Sequence, residues 1–437
     1  MWAGARLVRL LMVRVLALAA LAAACSSAEG SRGGDGRSGE VDGAGDAAGV
    51  ETPAPVDGDV AGDPAPDLPP RVEPWIAVEG SEGTGCSGGD LFRFFVRKGA
   101  TDRVLVDFEG GGACWNALTC AVASATMSAK APTLEEFEDG LAKGAFSGVL
   151  DTAQPENPFR EWTLVHVPYC TGDIHWGSAV KEYADGLVFH HTGFANGQAV
   201  LSWVYENAAD AAQVVVSGCS AGGYGALLHG AYAAKHYADA QVTILVDAAG
   251  GITTPQFVLD SIAAWGVAKN LPDWIPGLVD TPEEELTFQR MVEEIAKAYP
   301  EQRLAFYSTA HDQDQAAFYK LMGGDEGAWP EALAESLATL AGKAPNFRYF
   351  VPPGYLHCVT PHSIFFSKQS HDETRFVDWL GDLLDRNAEA PPSQLCQEEG
   401  FARPPDCTQD LECEACLQLP AEQQPFYCSW CDGIVTL

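Results

Sequence analysis

The sequence is short of positive charge: 26 lysines and arginines stand against 60 aspartates and glutamates, a formal net charge of −34. That balance excludes a nucleic-acid binder, which needs clustered Lys and Arg to displace phosphate counterions. It suits solubility outside the cell. Long apolar runs are lacking as well. The run at 15–24 is too short for a bilayer, which takes about 20 apolar residues. Residues 26–70 hold no aromatic and consist almost wholly of Gly, Ala, Ser, Pro, Asp and Glu, so they cannot bury enough surface to offset their chain entropy. A flexible acidic linker is expected over 25–73. No internal repeat is visible.

Around the short apolar run there is a pattern of export. Arg6, Arg9 and Arg14 precede it, and it ends in Ala22-Ala23-Ala24-Cys25, which reads as a signal peptide over 1–24. Cys25 after small residues is a candidate lipidation site, although the usual leucine three places earlier is here Ala22. The expected product is exported, either a bacterial cell-surface lipoprotein with a lipid anchor through Cys25 or a plainly secreted protein. Of 13 cysteines, setting Cys25 aside leaves six between Cys86 and Cys358 and six at Cys396, Cys407, Cys413, Cys416, Cys428 and Cys431. Both groups are even, as two separately bridged units would be in an oxidising compartment.

With 437 residues, 47% of them hydrophobic, the chain can bury one large core or two modest ones. Short β-branched or aromatic runs predict strands at 91–96, 103–108, 163–168, 213–217, 242–247, 303–308 and 347–351. Longer Ala- and Leu-rich stretches predict helices at 195–207, 225–236, 282–298 and 375–384. The alternation predicts an α/β fold, a mostly parallel sheet flanked by helices. A catalytic domain is expected over 74–390 and a small cysteine-rich module over 391–437.

The chemistry is carried by Gly218-Cys219-Ser220-Ala221-Gly222, directly behind the strand at 213–217 and ahead of a helix. This is the G-x-S-x-G elbow of α/β-hydrolases, in which a serine on a sharp turn projects its hydroxyl as a nucleophile. Such a serine needs a carboxylate and a histidine later in the chain, in that order. After the strand at 303–308 come His311, Asp312, Gln313 and Asp314, and Asp312 is the expected orienting carboxylate with Asp314 in reserve. After the strand at 347–351 comes His357, the expected general base, bonded to Ser220 on one nitrogen and to Asp312 on the other. Upstream, the strand at 103–108 runs into Glu109-Gly110-Gly111-Gly112. Gly111, Gly112 and Ala221 are expected to supply the N–H donors of an oxyanion hole. No metal and no cofactor is expected.

These motifs together resemble the pectin acetylesterase and Notum family of serine carboxylesterases, over residues 80–365. The family's E-G-G-G-x-C segment is matched by Glu109 to Cys114, with Cys120 six residues on. Its P-Y-C segment is matched by Pro168, Tyr169 and Cys170, and its G-C-S-A-G-G elbow by Gly218 to Gly223. Ala310, Asp312 and Gln315 match the A-x-D-x-x-Q of plant members, which favours Asp312, and His357 precedes a cysteine as the family's histidine does. Where plant members carry tryptophan this chain has Ala113. The resemblance implies an α/β-hydrolase fold, ester hydrolysis, and disulfides Cys86 to Cys170 and Cys114 to Cys120. Cys219 and Cys358, each beside a triad residue, are either bridged or free. In the tail, the two C-x-x-C pairs read as disulfides or a zinc ribbon, disulfides being favoured in an oxidising compartment. The tail also resembles the PSI module of plexins, semaphorins and integrins.

The expected function is that of an exported serine carboxylesterase removing O-acyl groups, O-acetyl first of all, from a polysaccharide through an acyl-enzyme. No long apolar insertion lies between 109 and 173 to build a tunnel, which favours a short acyl group, although Ala113 would open space. The alternatives are a delipidase or lipase acting on longer acyl esters, and a non-catalytic surface binding protein.

Overall fold

Side chains alternate across a strand with period two, so a strand covered on both faces reads as a continuous apolar run. Val104, Leu105 and Val106 make such a run, as do Val214, Val215 and Val216. In the computed structural model, which describes residues 73–396 and 406–409, these runs are the centre of a large sheet. The elements follow in the order β1 (Ile76–Glu79), β2 (Arg93–Arg97), β3 (Arg103–Phe108), α1 (Ala117–Thr126), α2 (Leu134–Ala142), β4 (Thr163–Val167), β5 (Ala179–Ala184), β6 (Leu187–His191) and α3 (Gly193–Asn207). The second half continues with β7 (Gln213–Cys219), α4 (Ala221–His236), β8 (Gln241–Asp247), α5 (Pro255–Trp265), α6 (Pro276–Val279), α7 (Phe288–Ala298), β9 (Arg303–Tyr307), α8 (Gln313–Leu321), α9 (Trp329–Lys343), β10 (Phe347–Val351), α10 (Phe376–Leu384) and β11 (Gln394–Leu395).

Nine strands form one sheet in the order β1-β2-β4-β3-β7-β8-β9-β10-β11, while β5 and β6 pair as a separate hairpin. The pairs β1/β2 and β2/β4 are antiparallel, and from β4 to β11 every pair is parallel. Val104, Val106, Val214 and Val216 face α3 and α4, packing with Val200, Val204, Ala226 and Ala233. Leu105, Val215 and Leu245 face the other side and pack with Phe376, Trp379, Leu380 and Leu383 of α10. A third cluster gathers α5, α7 and α9 through Phe257, Ile262, Trp265, Met291, Leu333 and Leu337.

Several boundaries differ from those expected. The helix expected at 282–298 is broken: a 3-10 turn spans Glu283–Glu285, and α7 starts afresh behind Thr287, whose side chain accepts the Arg290 N–H at 3.2 Å. The helix expected from 225 begins at Ala221, straight off the elbow, because its glycines serve close packing rather than a loop. Gln394 and Leu395 pair with Phe350 and Val351, so the sheet runs past residue 390 into the segment assigned to the tail module. The signal peptide, the linker with Cys25, and Cys413, Cys416, Cys428 and Cys431 lie outside the described residues.

Disulfides join Cys86 to Cys170, Cys114 to Cys120, Cys219 to Cys358 and Cys396 to Cys407. Among the described residues no helix is long and apolar enough to cross a membrane.

Candidate active site

β7 ends at Cys219 and α4 begins at Ala221, leaving Ser220 alone at the turn with φ 56° and ψ −121°. A serine seldom adopts such angles, and they persist only where the surroundings enforce them. Gly218 and Gly222 let the turn close. A Cβ on Gly222 would lie 1.9 Å from the Phe108 carbonyl oxygen, and one on Gly218 would lie 2.3 Å from that of Gly222. The Ser220 N–H donates to the carbonyl oxygen of Asp247 at 2.8 Å.

Asp312 stands at the N-cap of α8, fully buried, at the exit of β9. Its Oδ1 accepts the N–H groups of Asp314 and Gln315 at 3.1 and 3.0 Å, and its Oδ2 accepts from Gln315 Nε2 at 2.9 Å. His357 Nδ1 lies 2.8 Å from Oδ2 and 3.0 Å from Oδ1. With Nδ1 facing the carboxylate, Nε2 is the nitrogen left for a proton from elsewhere. Asp314 is one residue into the helix and makes no such contact; burial raises its carboxyl pKa. Burial works to lower the His357 pKa, but the charge and hydrogen bond of Asp312, with the charges of Asp314 and Asp247, carry it up to about 9. His357 and Ser220 line the same pocket, yet no hydrogen bond joins their side chains in this structure.

The glycine loop after β3 lies against the elbow. A Cβ on Gly110 would meet Ser220 Cβ at 3.0 Å, and one on Gly111 would meet the Tyr169 ring at 2.7 Å. Gly111 and Gly112 both have positive φ, 151° and 79°. Tyr169 Oη donates to the Gly112 carbonyl at 2.8 Å and accepts the Ile174 N–H at 2.9 Å, which ties the loop to the segment after β4. Among the described residues, no protein acceptor takes the N–H of Gly111, Gly112 or Ala221. Gly112 and Ala221 open on the pocket with Ser220.

That pocket holds about 900 Å³ of empty space, its open mouth included. Its wall is apolar and comes from segments far along the chain: Phe257, Ile262 and Trp265 of α5, Leu286 and Phe288 ahead of and on α7, Phe318 of α8 and Trp329 of α9. Ala113, Ile174 and Trp176 complete it. Two groups of metal-ligand type occur among the described residues, Cys114-Cys120-His191 and Cys219-His357-Cys358. Their sulfurs are paired in disulfides and offer no thiolate.

A mostly parallel sheet with a strained serine after one strand, a buried aspartate after the next but one and a histidine after the following one defines an α/β-hydrolase-like protein. The Pectinacetylesterase family model matches residues 74–262. The sequence is similar to pectin acetylesterases and to Notum carboxylesterases. Pectin acetylesterase 5 of Arabidopsis thaliana is 29% identical over 210 residues, covering 45% of this chain and 48% of that protein. The palmitoleoyl-protein carboxylesterase notum1 of Xenopus laevis is 33% identical over 148 residues, covering 33% of this chain and 29% of that protein. The chain thus matches about half the length of the plant relative or less. The Wnt deacylase Notum from Drosophila superposes with a TM-score of 0.55 at 15% identity, over 74% of this chain and 97% of that one, a likeness of fold.

Tyr169 and Gln315 stand in the motifs read from the sequence, but their supporting contacts do not follow from spacing. Apart from Ala113, the pocket wall was not foreseen. Its residues read as ordinary core positions of helices, with no signal to tell a pocket lining from a packed face.

Proposed function

We propose that this protein is a carboxylic ester hydrolase in which Ser220, His357 and Asp312 act as a triad. The observation that carries the reading is the His357–Asp312 pair, 2.8 Å apart, beside a strained, half-buried Ser220 in one pocket. His357 Nε2 takes the Ser220 proton as Oγ attacks the ester carbonyl, and Asp312 holds the ring and stabilises the imidazolium. The tetrahedral oxyanion is held by the N–H groups of Gly111, Gly112 and Ala221. Collapse releases the alcohol with the proton from His357, leaving an acyl-enzyme that water hydrolyses by the same steps in reverse roles.

The substrate is an O-acyl ester whose alcohol part is a hydroxyl of a polysaccharide, as the names of the pectin acetylesterases support. An exported protein, secreted or anchored through Cys25, fits this substrate and the disulfides. For the acyl group, the sequence favours acetyl. A longer chain is favoured by one observation, the apolar wall of Phe257, Ile262, Trp265, Phe288 and Trp329 beside Ser220. Hydrolysis of a series of acyl esters, with Ser220→Ala as control, tests both levels. No turnover on any ester by correctly folded protein would turn the reading to a non-catalytic surface binding protein.

A further inference from the structure

Asp247 ends β8 fully buried, in register with Cys219 of β7. Its main chain touches the serine elbow, since its carbonyl oxygen accepts the Ser220 N–H at 2.8 Å. Its side chain reaches the loop that carries the histidine. Oδ2 accepts three hydrogen bonds there, from the N–H groups of Val359 and Thr360 at 2.8 Å each and from Thr360 Oγ1 at 2.7 Å. Oδ1 accepts none from the protein. Burying a carboxylate with one oxygen unpaired is a poor way to fill a core, because the desolvation is only partly offset. Such a group makes sense as an anchor.

The anchored segment is short and sharply bent. Cys358, between His357 and Val359, has φ 66°, so the amides that Asp247 holds belong to the same turn that aims the imidazole. We propose that Asp247 is a positioning residue that fixes the histidine loop against the serine elbow and so sets the reach of His357 toward Ser220. This rests on the esterase reading given above.

The charges facing His357 are Asp312 and Asp314 from the start of α8 and Asp247 from β8, with His362 on its own loop. His357 is the charged group that faces Asp247, and burial pushes the Asp247 carboxyl up to about 6. Asp247 therefore contributes both a mechanical tie and, when ionised, part of the field that keeps a proton on His357.

The two contributions separate in the full-length protein. Asp247→Asn keeps an acceptor for Val359 and Thr360 but removes the charge, so the acid limb of the kcat/KM profile should move to lower pH. Asp247→Ala removes both, and kcat should fall about 100-fold with KM little changed, as for a misplaced catalytic group. Should Asp247→Ala fail to fold, Thr360→Val removes one of the three bonds and leaves the carboxylate; kcat should fall while the acid limb stays in place. A wild-type kcat in Asp247→Ala, or an unmoved acid limb in Asp247→Asn, overturns the proposal. Turnover retained by Ser220→Ala in parallel would instead overturn the esterase reading itself.

Discussion

Cys219 and Cys358 are joined by a disulfide, so the residue before Ser220 is tied covalently to the residue after His357. Two loops from separate parallel strands, 139 residues apart in sequence at this link, thereby meet at the place where the proposed chemistry needs them. The noncovalent bonds of Asp247 run alongside this bridge.

Replacing both cysteines with alanine should lower stability by about 2–4 kcal/mol, since the bridge closes a long loop of the unfolded chain. It should also lower kcat, because the histidine loop loses its covalent tie to the elbow. Thermal melts and ester turnover on the double variant check both; an unchanged kcat would confine the bridge to stability.

A general base must be neutral to act, and the neighbouring carboxylates raise the pKa of His357, the proposed base, to about 9. The value of kcat/KM should therefore rise with pH toward about 9 before levelling. Asp312→Asn removes the charge that contributes most to this elevation, so the acid limb should move down while kcat falls by about 10⁴-fold. Asp314→Asn should shift the limb slightly and leave most of kcat. If Asp314→Asn proves the more damaging, the carboxylate is misassigned.

Tyr169→Phe removes one hydroxyl that holds both the Gly112 carbonyl and the Ile174 N–H. With the loop freed, kcat should drop about tenfold to 100-fold while KM changes little, because the loss is felt at the oxyanion rather than in ground-state binding. A change confined to KM would place Tyr169 outside the oxyanion support.

The apolar wall beside Ser220 makes a direct statement about acyl length. Each methylene buried contributes about 0.8 kcal/mol, so kcat/KM should climb about fourfold per carbon from acetyl until the pocket is filled. A decline already at butyryl would restore the acetyl reading.

Much of the site was legible because elbow chemistry leaves few choices of residue. Gly218 and Gly222 are required by contacts of 2.3 and 1.9 Å that any side chain would violate, and a serine between such glycines announces its turn. Asp312 and His357 were legible as polar residues just past predicted strands, and the structure brings that pair together. The bond from His357 to Ser220, also expected, is not formed here. Asp247 was not legible as more than a strand end, since the loop it holds returns 112 residues later. Helices α5 and α9 escaped too, although each has proline in its first turn, where a missing N–H does no harm. With them went the pocket wall, which depends on packing between segments that sequence periodicity treats one at a time.

Ser220 as the nucleophile is the centre of the proposed chemistry. Steady-state hydrolysis of a small acyl ester by the Ser220→Ala variant, with folding verified by its melting temperature, tests this most directly. Turnover should fall to background with the fold intact; turnover near that of the unaltered protein would rule out Ser220 as the nucleophile.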